Sequence, residues 1–146
     1  VLFNKEVAHL VDYPAAMEQA EYTVPAGTVE IMRGAFAEHK HLQKVVLPEG
    51  IVKIGDGAFR GCEALREVVL PSTLEIIGGQ AFAGCAALES ICIPAATAEI
   101  GQNAFSSCWA LQDIAVDGEN SHFCDIDGAL YTKDMKKLLR RGLLPV

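Results

Sequence analysis

The sequence predicts an α/β repeat protein: a solenoid with a parallel β-sheet on its concave face, short 3₁₀ or helical turns, and a β-hairpin module at each end. An Ala-Phe pair recurs every 23 residues, at Ala35-Phe36, Ala58-Phe59, Ala81-Phe82 and Ala104-Phe105. A leucine follows each of these phenylalanines by six residues, and an isoleucine precedes each by five. So many positions that agree at one spacing indicate stacked units, none of which can cover its own apolar side chains alone.

Each unit combines two short extended segments with a tight turn. Residues 65–70 have the apolar alternation of a strand, and Pro71 ends it because proline has no amide to donate to a ladder. Ile76-Ile77 form a second extended piece, and Gly78-Gly79 are expected to turn a corner with positive φ. Residues 80–85 are too few for a stable α-helix, so we predict a 3₁₀ turn or a single helical turn there.

We interpret residues 1–146 as one domain with three parts. Residues 1–15 form an N-terminal hairpin module, residues 16–116 the stacked repeats, and residues 117–146 a C-terminal hairpin module. The predicted turn of the first hairpin lies at residues 4–6, and Asp127-Gly128 is expected to form a tight turn that leads into the second hairpin. The two modules match each other, because Leu2, Phe3, Lys5 and Leu10 correspond to Leu130, Tyr131, Lys133 and Leu138.

The composition excludes several classes of function. Of the 146 residues, 51% are hydrophobic, which suffices for a continuous core, and the net charge is −7. Nucleic acids and anionic lipids both attract clustered Lys and Arg, so we expect neither as a partner. No run of 18 apolar residues is present, so we expect no membrane insertion. The chain begins at Val1 without a leader sequence, which leaves its compartment open.

The repeat columns resemble those of the BspA-like leucine-rich repeats. Residues 65–71 fit the family pattern L-x-x-[IV]-x-[IL]-P, and residues 77–85 fit I-G-x-x-A-F-x-x-C. Residues 127–134 match the family's hairpin motif D-G-x-L-[FY]-x-K-[DE]. The departures are Met32 for Gly, His39 for Cys or Asn, and Gln19 for Leu. The resemblance implies a leucine-rich-repeat solenoid and a secreted or cell-surface bacterial protein of adhesive function, and it implies no catalytic residues.

Stacking in register should align equivalent side chains in ladders, because strands of one sheet lie about 4.8 Å apart. The expected structural ladders comprise Phe36, Phe59, Phe82 and Phe105 in one column, and Cys62, Cys85 and Cys108 in another. We interpret the cysteines as small buried side chains that cap backbone groups. Stacked side chains point in parallel and not at each other, which disfavours disulfides. A zinc site would need four converging ligands, which one residue per coil does not supply.

We predict no metal, no cofactor and no catalytic residue. His39 and His41 look like a metal pair, yet His39 stands in the cysteine column and His41 faces away from it. No carboxylate or cysteine lies in a matching phase. A cysteine nucleophile also needs a base and an orienting group, and the pattern offers Cys92 neither.

The outward positions of the predicted strands are the candidate ligand-binding residues. They form a polar row and an apolar row: Lys44, Glu67, Ser90 and Asp113 beside Val46, Val69, Cys92 and Ala115. Solenoids bind ligands on such concave sheets, and an exposed apolar patch marks many interfaces. The alternative is that β-branched residues simply suit a strand surface. Trp109 is either an interface anchor or packs on the C-terminal hairpin, and we favour packing.

The expected function is a non-catalytic protein-binding or adhesion module of a secreted or cell-surface protein. Its expected partners are a host or matrix protein, another copy of the chain, or a glycan. The alternative is a structural spacer, one segment of a longer repeat rod without a ligand, which the matching hairpin modules favour. No combination of acid, base and nucleophile indicates an enzyme.

Overall fold

The computed structural model describes residues 1–4, 8–14, 17–134 and 137–140, which form short β-strands joined by turns. The strands are β1 (Leu2–Phe3), β2 (His9–Asp12), β3 (Glu21–Thr23), β4 (Glu30–Ile31), β5 (Lys44–Val46), β6 (Lys53–Ile54), β7 (Glu67–Val69), β8 (Ile76–Ile77), β9 (Ser90–Ile93), β10 (Glu99–Ile100), β11 (Asp113–Val116), β12 (Phe123–Ile126), β13 (Ala129–Thr132) and β14 (Leu138–Arg140). Within these ranges no helix has the length and hydrophobicity that a bilayer span requires.

The chain winds as a β-solenoid in which each full coil adds one strand to each of two stacks. One stack is the six-stranded sheet β1-β2-β4-β6-β8-β10, and the other comprises the sheets β3-β5-β7 and β9-β11. Apart from the antiparallel β1–β2 pair, the strands of both stacks are parallel, and their partners are residues of adjacent coils. Lys44 pairs with Glu67, and Ile54 pairs with Ile77. The predicted stacking of coils with parallel sheets is therefore confirmed.

The predicted class of α/β with helical turns is wrong, because the described residues contain no helix. In the turn of residues 80–85, every second backbone amide donates its hydrogen bond to the next coil and not within the turn. Gln80 N donates to Gln102 O at 2.9 Å and Phe82 N donates to Ala104 O at 2.8 Å, both in the next coil. Only the amides between them close bonds within the turn, as Ala83 N does to Gln80 O at 3.1 Å. A helix needs consecutive amides to bond within one segment, so this alternation prevents it.

At this corner Gly78 is needed for space and not for a left-handed backbone, whereas a Cβ on Gly79 would meet no atom closer than 3.5 Å. Positive φ falls on Gln80 (56°) and Gly84 (75°), and not on Gly78 or Gly79 as predicted. A Cβ on Gly78 would lie 2.6 Å from the backbone N of Asp56 in the preceding coil. Gly55 and Gly101 meet the preceding coil in the same way. Glycine thus permits the coils to approach closely at this column.

Aromatic rings form a continuous stack along the solenoid axis. The ring centroids of Phe36 and Phe59 lie 4.8 Å apart, those of Phe59 and Phe82 5.2 Å, and those of Phe82 and Phe105 5.6 Å. Tyr13, which stands one repeat before Phe36, extends the stack with a centroid distance of 5.0 Å. All five side chains are buried. Such stacking adds to the free energy of burying each ring.

Near both ends of the chain, neighbouring strands pair in antiparallel orientation. At one end β1 pairs with β2, and β2 in turn pairs in parallel with β4. At the other end β12, β13 and β14 form an antiparallel sheet, with Asp127 and Gly128 at positive φ between β12 and β13. The sequence did not predict β12. The predicted turn at residues 4–6 includes Lys5 and Glu6, which lie outside the described residues, as do residues 141–146 of the C-terminal module.

Replacing Phe82 with alanine should remove the ring that joins the coils on its two sides. We expect Phe82→Ala to lower the free energy of unfolding by about 3–5 kcal/mol, the usual cost of such a core truncation. The remaining coils on either side should then unfold in separate steps. Thermal unfolding followed by circular dichroism measures both effects. A single sharp transition at the wild-type temperature would contradict the ladder.

Replacing Gly78 with alanine should force two coils apart. We expect Gly78→Ala to lower the free energy of unfolding by about 1–3 kcal/mol, as overpacking does, because its Cβ would overlap backbone atoms. Gly118→Ala is the matched control, since a Cβ there meets nothing within 4 Å. Urea unfolding of the two variants and the wild type gives the comparison. Equal losses of unfolding free energy in both variants would show that the close approach of the coils at Gly78 does not cause the destabilisation.

Candidate functional site

The residues predicted to bind a ligand all lie on four strands of the second stack. Within each strand the residue between the two candidates is buried, as Val68 is between Glu67 and Val69. Pairing in register places Val46 beside Val69 and Cys92 beside Ala115. The polar row is therefore Lys44, Glu67, Ser90 and Asp113, and the apolar row is Val46, Val69, Cys92 and Ala115. We call these rows together the outer face.

The apolar row is accessible to solvent. Val69 is 39% exposed and the Cys92 side chain is also exposed, while Val46 and Ala115 are partly buried. The core residues beneath them, such as Val45 and Ile114, are fully buried. The side chains of Val69 and Cys92 thus lie largely outside the core.

The outer face is interrupted between β7 and β9. β7 pairs with β5 and β9 pairs with β11, but β7 and β9 form no ladder. The Leu47 N to Val69 O bond of 3.1 Å joins the preceding coils, and no counterpart from Leu70 N exists among the described residues. At this point the Glu89 amide still donates to Arg66 O at 3.5 Å, so the two coils remain joined by a longer bond.

A cleft of about 400 Å³ lies at the C-terminal ends of these strands. It is lined by Glu49, Leu70, Ser72, Cys92, Ile93, Pro94, Ala115, Val116 and Asp117. Cys92 and Ala115 belong to the apolar row, so the cleft continues the outer face. Sequence reasoning missed the other lining residues because Ile93 and Val116 end β9 and β11 at core-type positions, and the rest follow the strands in turns. Their recurrence one repeat apart, as in Leu70 and Ile93, was the available signal.

The charges of the outer face are mostly acidic. Lys44 Nζ lies 3.5 Å from Glu67 Oε2, and both side chains are over a third exposed, so this ion pair contributes at most about 1 kcal/mol. Asp113 on the outer face, and Glu89 and Asp117 beside it, make no ion pair with any described residue, and neither does the exposed Arg66 beside Glu67. A ligand with basic side chains would therefore meet favourable potential here.

The cysteine column donates to the backbone of the preceding coil. Cys62 Sγ contacts Phe36 O at 3.1 Å, Cys85 Sγ contacts Phe59 O at 3.1 Å, and Cys108 Sγ contacts Phe82 O at 3.0 Å. Burial raises the pKa of Cys62 to about 12 and raises the pKa of Cys85 as well. The thiols of Cys62 and Cys85 therefore stay protonated at neutral pH and are poor nucleophiles and poor metal ligands.

His39 occupies the same column in the first coil and acts as a hydrogen-bond acceptor. Its Nδ1 accepts the amides of His41 at 3.2 Å and of Leu42 at 3.0 Å. The side chain is fully buried, and its Nε2 has no partner among the described residues. Burial lowers the pKa of His39, so the ring is neutral. No group of three metal-ligating side chains occurs in the described part of the chain.

Trp109 does not pack closely on the described residues of the C-terminal hairpin. The side chain is 76% exposed, so these residues do not provide the packing that we favoured from the sequence. The alternative, an interface anchor, stays a prediction. Sequence reasoning could not separate the two, because both require the same residue type at the same turn position.

The chain matches the family described as BspA type leucine rich repeat region, with six copies over residues 21–127. No curated protein matches the sequence significantly. Among solved structures, the pneumococcal vaccine antigen PcpA is similar over 83% of this chain, with 30% identity and a TM-score of 0.81. A leucine rich cell surface protein from Faecalibacterium prausnitzii is similar over 81% of the chain, with 32% identity and a TM-score of 0.69.

The chain spans only part of these two proteins. It covers 30% of PcpA and 37% of the Faecalibacterium prausnitzii protein. A leucine-rich repeat protein from Bacteroides capillosus is closer in size: 80% of this chain aligns to 91% of that protein, with 29% identity and a TM-score of 0.69.

The buried His39 should make the protein sensitive to acid. The unfolded chain gains a proton on His39 as the pH falls below about 6.5, whereas the folded protein with its lowered pKa resists that proton. The stability contributed by the neutral ring is thus present above that pH and is lost as the pH falls towards the folded-state value.

The variant His39→Asn tests this linkage. An Asn can take over both bonds, because Asn120 Oδ1 accepts the amides two and three residues ahead, at 2.7 and 2.9 Å. We expect His39→Asn to lose some packing at every pH but to show a smaller drop in unfolding free energy between pH 7.5 and pH 5. Urea unfolding at several pH values measures this. Parallel pH profiles for the two proteins would refute a role for His39.

Proposed function

Because this chain belongs to the BspA-type leucine-rich repeat family, we propose that it is a non-catalytic protein-binding or adhesion module of a secreted or cell-surface protein, with its ligand held on the outer face. The observation that supports this most is the apolar row: Val69 and Cys92 are exposed in line with the partly buried Val46 and Ala115. Contiguous exposed apolar side chains mark interfaces, whereas single ones do not, so the row as a whole supports binding.

The partner class follows from the family and from the chemistry of the face. Leucine-rich repeat proteins commonly bind other proteins, and PcpA and the Faecalibacterium prausnitzii protein are described as a vaccine antigen and a cell surface protein. We propose a host or matrix protein, with another copy of the chain or a glycan as the further candidates. The unpaired carboxylates along the outer face favour a partner with basic side chains.

A non-catalytic role agrees with the state of the candidate reactive groups. The thiols of Cys62 and Cys85 are buried and protonated, and His39 is neutral and accepts two backbone bonds. None of these groups belongs to a set of three potential metal ligands among the described residues.

A second candidate function is a structural spacer within a longer repeat rod. The observation that favours it is the equivalence of the two hairpins, β1–β2 and β13–β14, which have the same register. A spacer of this kind would bind no ligand through the outer face.

The test of ligand binding is the substitution Val69→Arg, which places a long charged side chain in the centre of the apolar row. We expect saturable binding to one or more partners on an array of matrix proteins and glycans, and a loss of about 30-fold or more in affinity for Val69→Arg, the effect of a hot-spot residue. Thermal unfolding of both proteins establishes that the variant is folded.

The matched control is Val29→Arg. Val29 is 40% exposed, so it has nearly the same exposure as Val69, but it lies beside β4 in the other stack. Both variants change the net charge equally, and only Val69→Arg should lose binding. Equal losses would indicate a general charge effect, and no binding by any of the folded proteins would favour the spacer.

A further inference from the structure

The hairpins at the two ends of the described chain are built to the same plan. In β1–β2 the paired residues are Leu2 with Asp12 and Phe3 with Leu10, with a register shift between Leu2 and Phe3. In β13–β14 they are Leu130 with Arg140 and Tyr131 with Leu138, with a shift between Leu130 and Tyr131. Each residue of the second hairpin is numbered 128 higher than its counterpart in the first. The same bulge at the same place indicates an equivalent backbone.

The hydrogen bonds at the closed end of each hairpin agree as well. Asn4 N donates to His9 O at 3.1 Å, and the His9 amide donates to Asn4 Oδ1 at 3.2 Å. Thr132 N donates to Lys137 O at 3.0 Å, and the Lys137 amide donates to Thr132 Oγ1 at 3.1 Å. Two different side chains thus make the same bond, which shows that the geometry and not the residue type is preserved.

The second strand of the N-terminal hairpin receives the first coil of the solenoid. β2 pairs in parallel with β4, with Leu10 beside Ile31. Met32 N donates to Leu10 O at 2.9 Å, and Val29 N donates to Ala8 O at 2.6 Å. The Leu10 side chain is fully buried as a result.

The equivalent edge of the C-terminal hairpin is open. β14 is the last strand of the β12-β13-β14 sheet, and no described strand pairs with its other side. Leu138, the counterpart of Leu10, is 52% exposed, and Leu139 is 42% exposed. An apolar side chain that belongs to the core in one hairpin is therefore at the surface in the other.

The charge next to this leucine also has a counterpart. His9 Nε2 lies 3.6 Å from Glu30 Oε2, across the β2–β4 pair. Lys137 holds the place of His9 in the second hairpin. A strand with an acidic residue and an isoleucine, like Glu30–Ile31 of β4, would place its carboxylate beside Lys137 and its isoleucine beside Leu138.

We propose that β14 is a docking edge for the first strand of a further leucine-rich coil on the same polypeptide, which enters in parallel as β4 enters on β2. The hairpin β13–β14 is then a joint that ends one stack of coils and starts another. This inference extends the spacer interpretation and is independent of any ligand of the outer face. Pairing of two β14 strands from separate copies is the rival. It is disfavoured because each copy carries the basic Lys137 beside this strand, and like charges destabilise a strand pair.

The test is a tandem protein in which residues 1–140 continue directly into residues 13–146, so that Leu138 takes the place of Leu10 for the second array. If β14 acts as β2 does, both arrays fold as one unit. We expect a single urea transition with an m-value about twice that of the 146-residue chain, since m scales with the surface exposed on unfolding. A reference tandem joins two full chains through a flexible linker, so that each array keeps its own N-terminal hairpin.

Leu138→Lys separates docking from general stability. In the chain by itself it should shift the urea midpoint little, because Leu138 is half exposed. In the direct tandem it should split the transition in two or leave the second array unfolded. Size-exclusion chromatography should show a monomer throughout.

Three results would overturn the proposal. The direct tandem could keep the m-value of one chain while the linker tandem folds both arrays. Leu138→Lys could leave the direct tandem unchanged. The single chain could form a dimer that Leu138→Lys dissociates, which would assign the edge to self-pairing. Each result leaves the Val69→Arg binding test unaffected, because that test measures capture by the outer face.

Discussion

Each coil is held to the next by backbone amides that donate hydrogen bonds to the neighbouring coil instead of to their own turn. The amides of Gln80, Phe82 and Gly84 all donate to carbonyls of the following coil, at 2.8–2.9 Å. The equivalent amides of the two preceding coils do the same. These bonds, with the parallel ladders, fix the axial spacing at which phenylalanine rings stack 4.8–5.6 Å apart. A unit of this size has no core of its own, so its stability comes from its neighbours.

That spacing determines which residues each column accepts. Gly55 and Gly78 have no room for a Cβ, because the backbone of the preceding coil lies where it would stand. The cysteine column needs a small buried side chain that satisfies a carbonyl of the preceding coil. In this column His39 accepts the amides two and three residues ahead instead. Asn120, which stands one repeat after Thr97 in another column, accepts the equivalent amides and also donates to Pro94 O and Thr97 O. Different residue types thus satisfy buried backbone groups, which would otherwise destabilise the fold.

The same construction frees the outer face for function. Its side chains are excluded from the core by strand alternation, so they can vary without loss of stability. The repeat then places them in straight rows, where an apolar row and unpaired carboxylates lie side by side. The interruption between β7 and β9 and the cleft at Cys92 add local shape to an otherwise regular surface. At the end of the stack, Leu138 is exposed on β14, which has one free edge among the described strands, and the repeats do not explain this feature.

The sequence by itself determined the phase of the repeat, the buried columns, the parallel stacking and the hairpin at each end. These follow from the spacing of apolar residues, Pro and Gly, which is a property of local pattern. Only the tertiary structure decided that residues 80–85 form no helix, that Gly78 is needed for space and not for positive φ, and that Trp109 is exposed. It also decided that the outer face is interrupted and that β14 has a free edge among the described strands. The physical reason is that all of these depend on where the neighbouring coil or strand places its backbone, and local spacing contains no information about that.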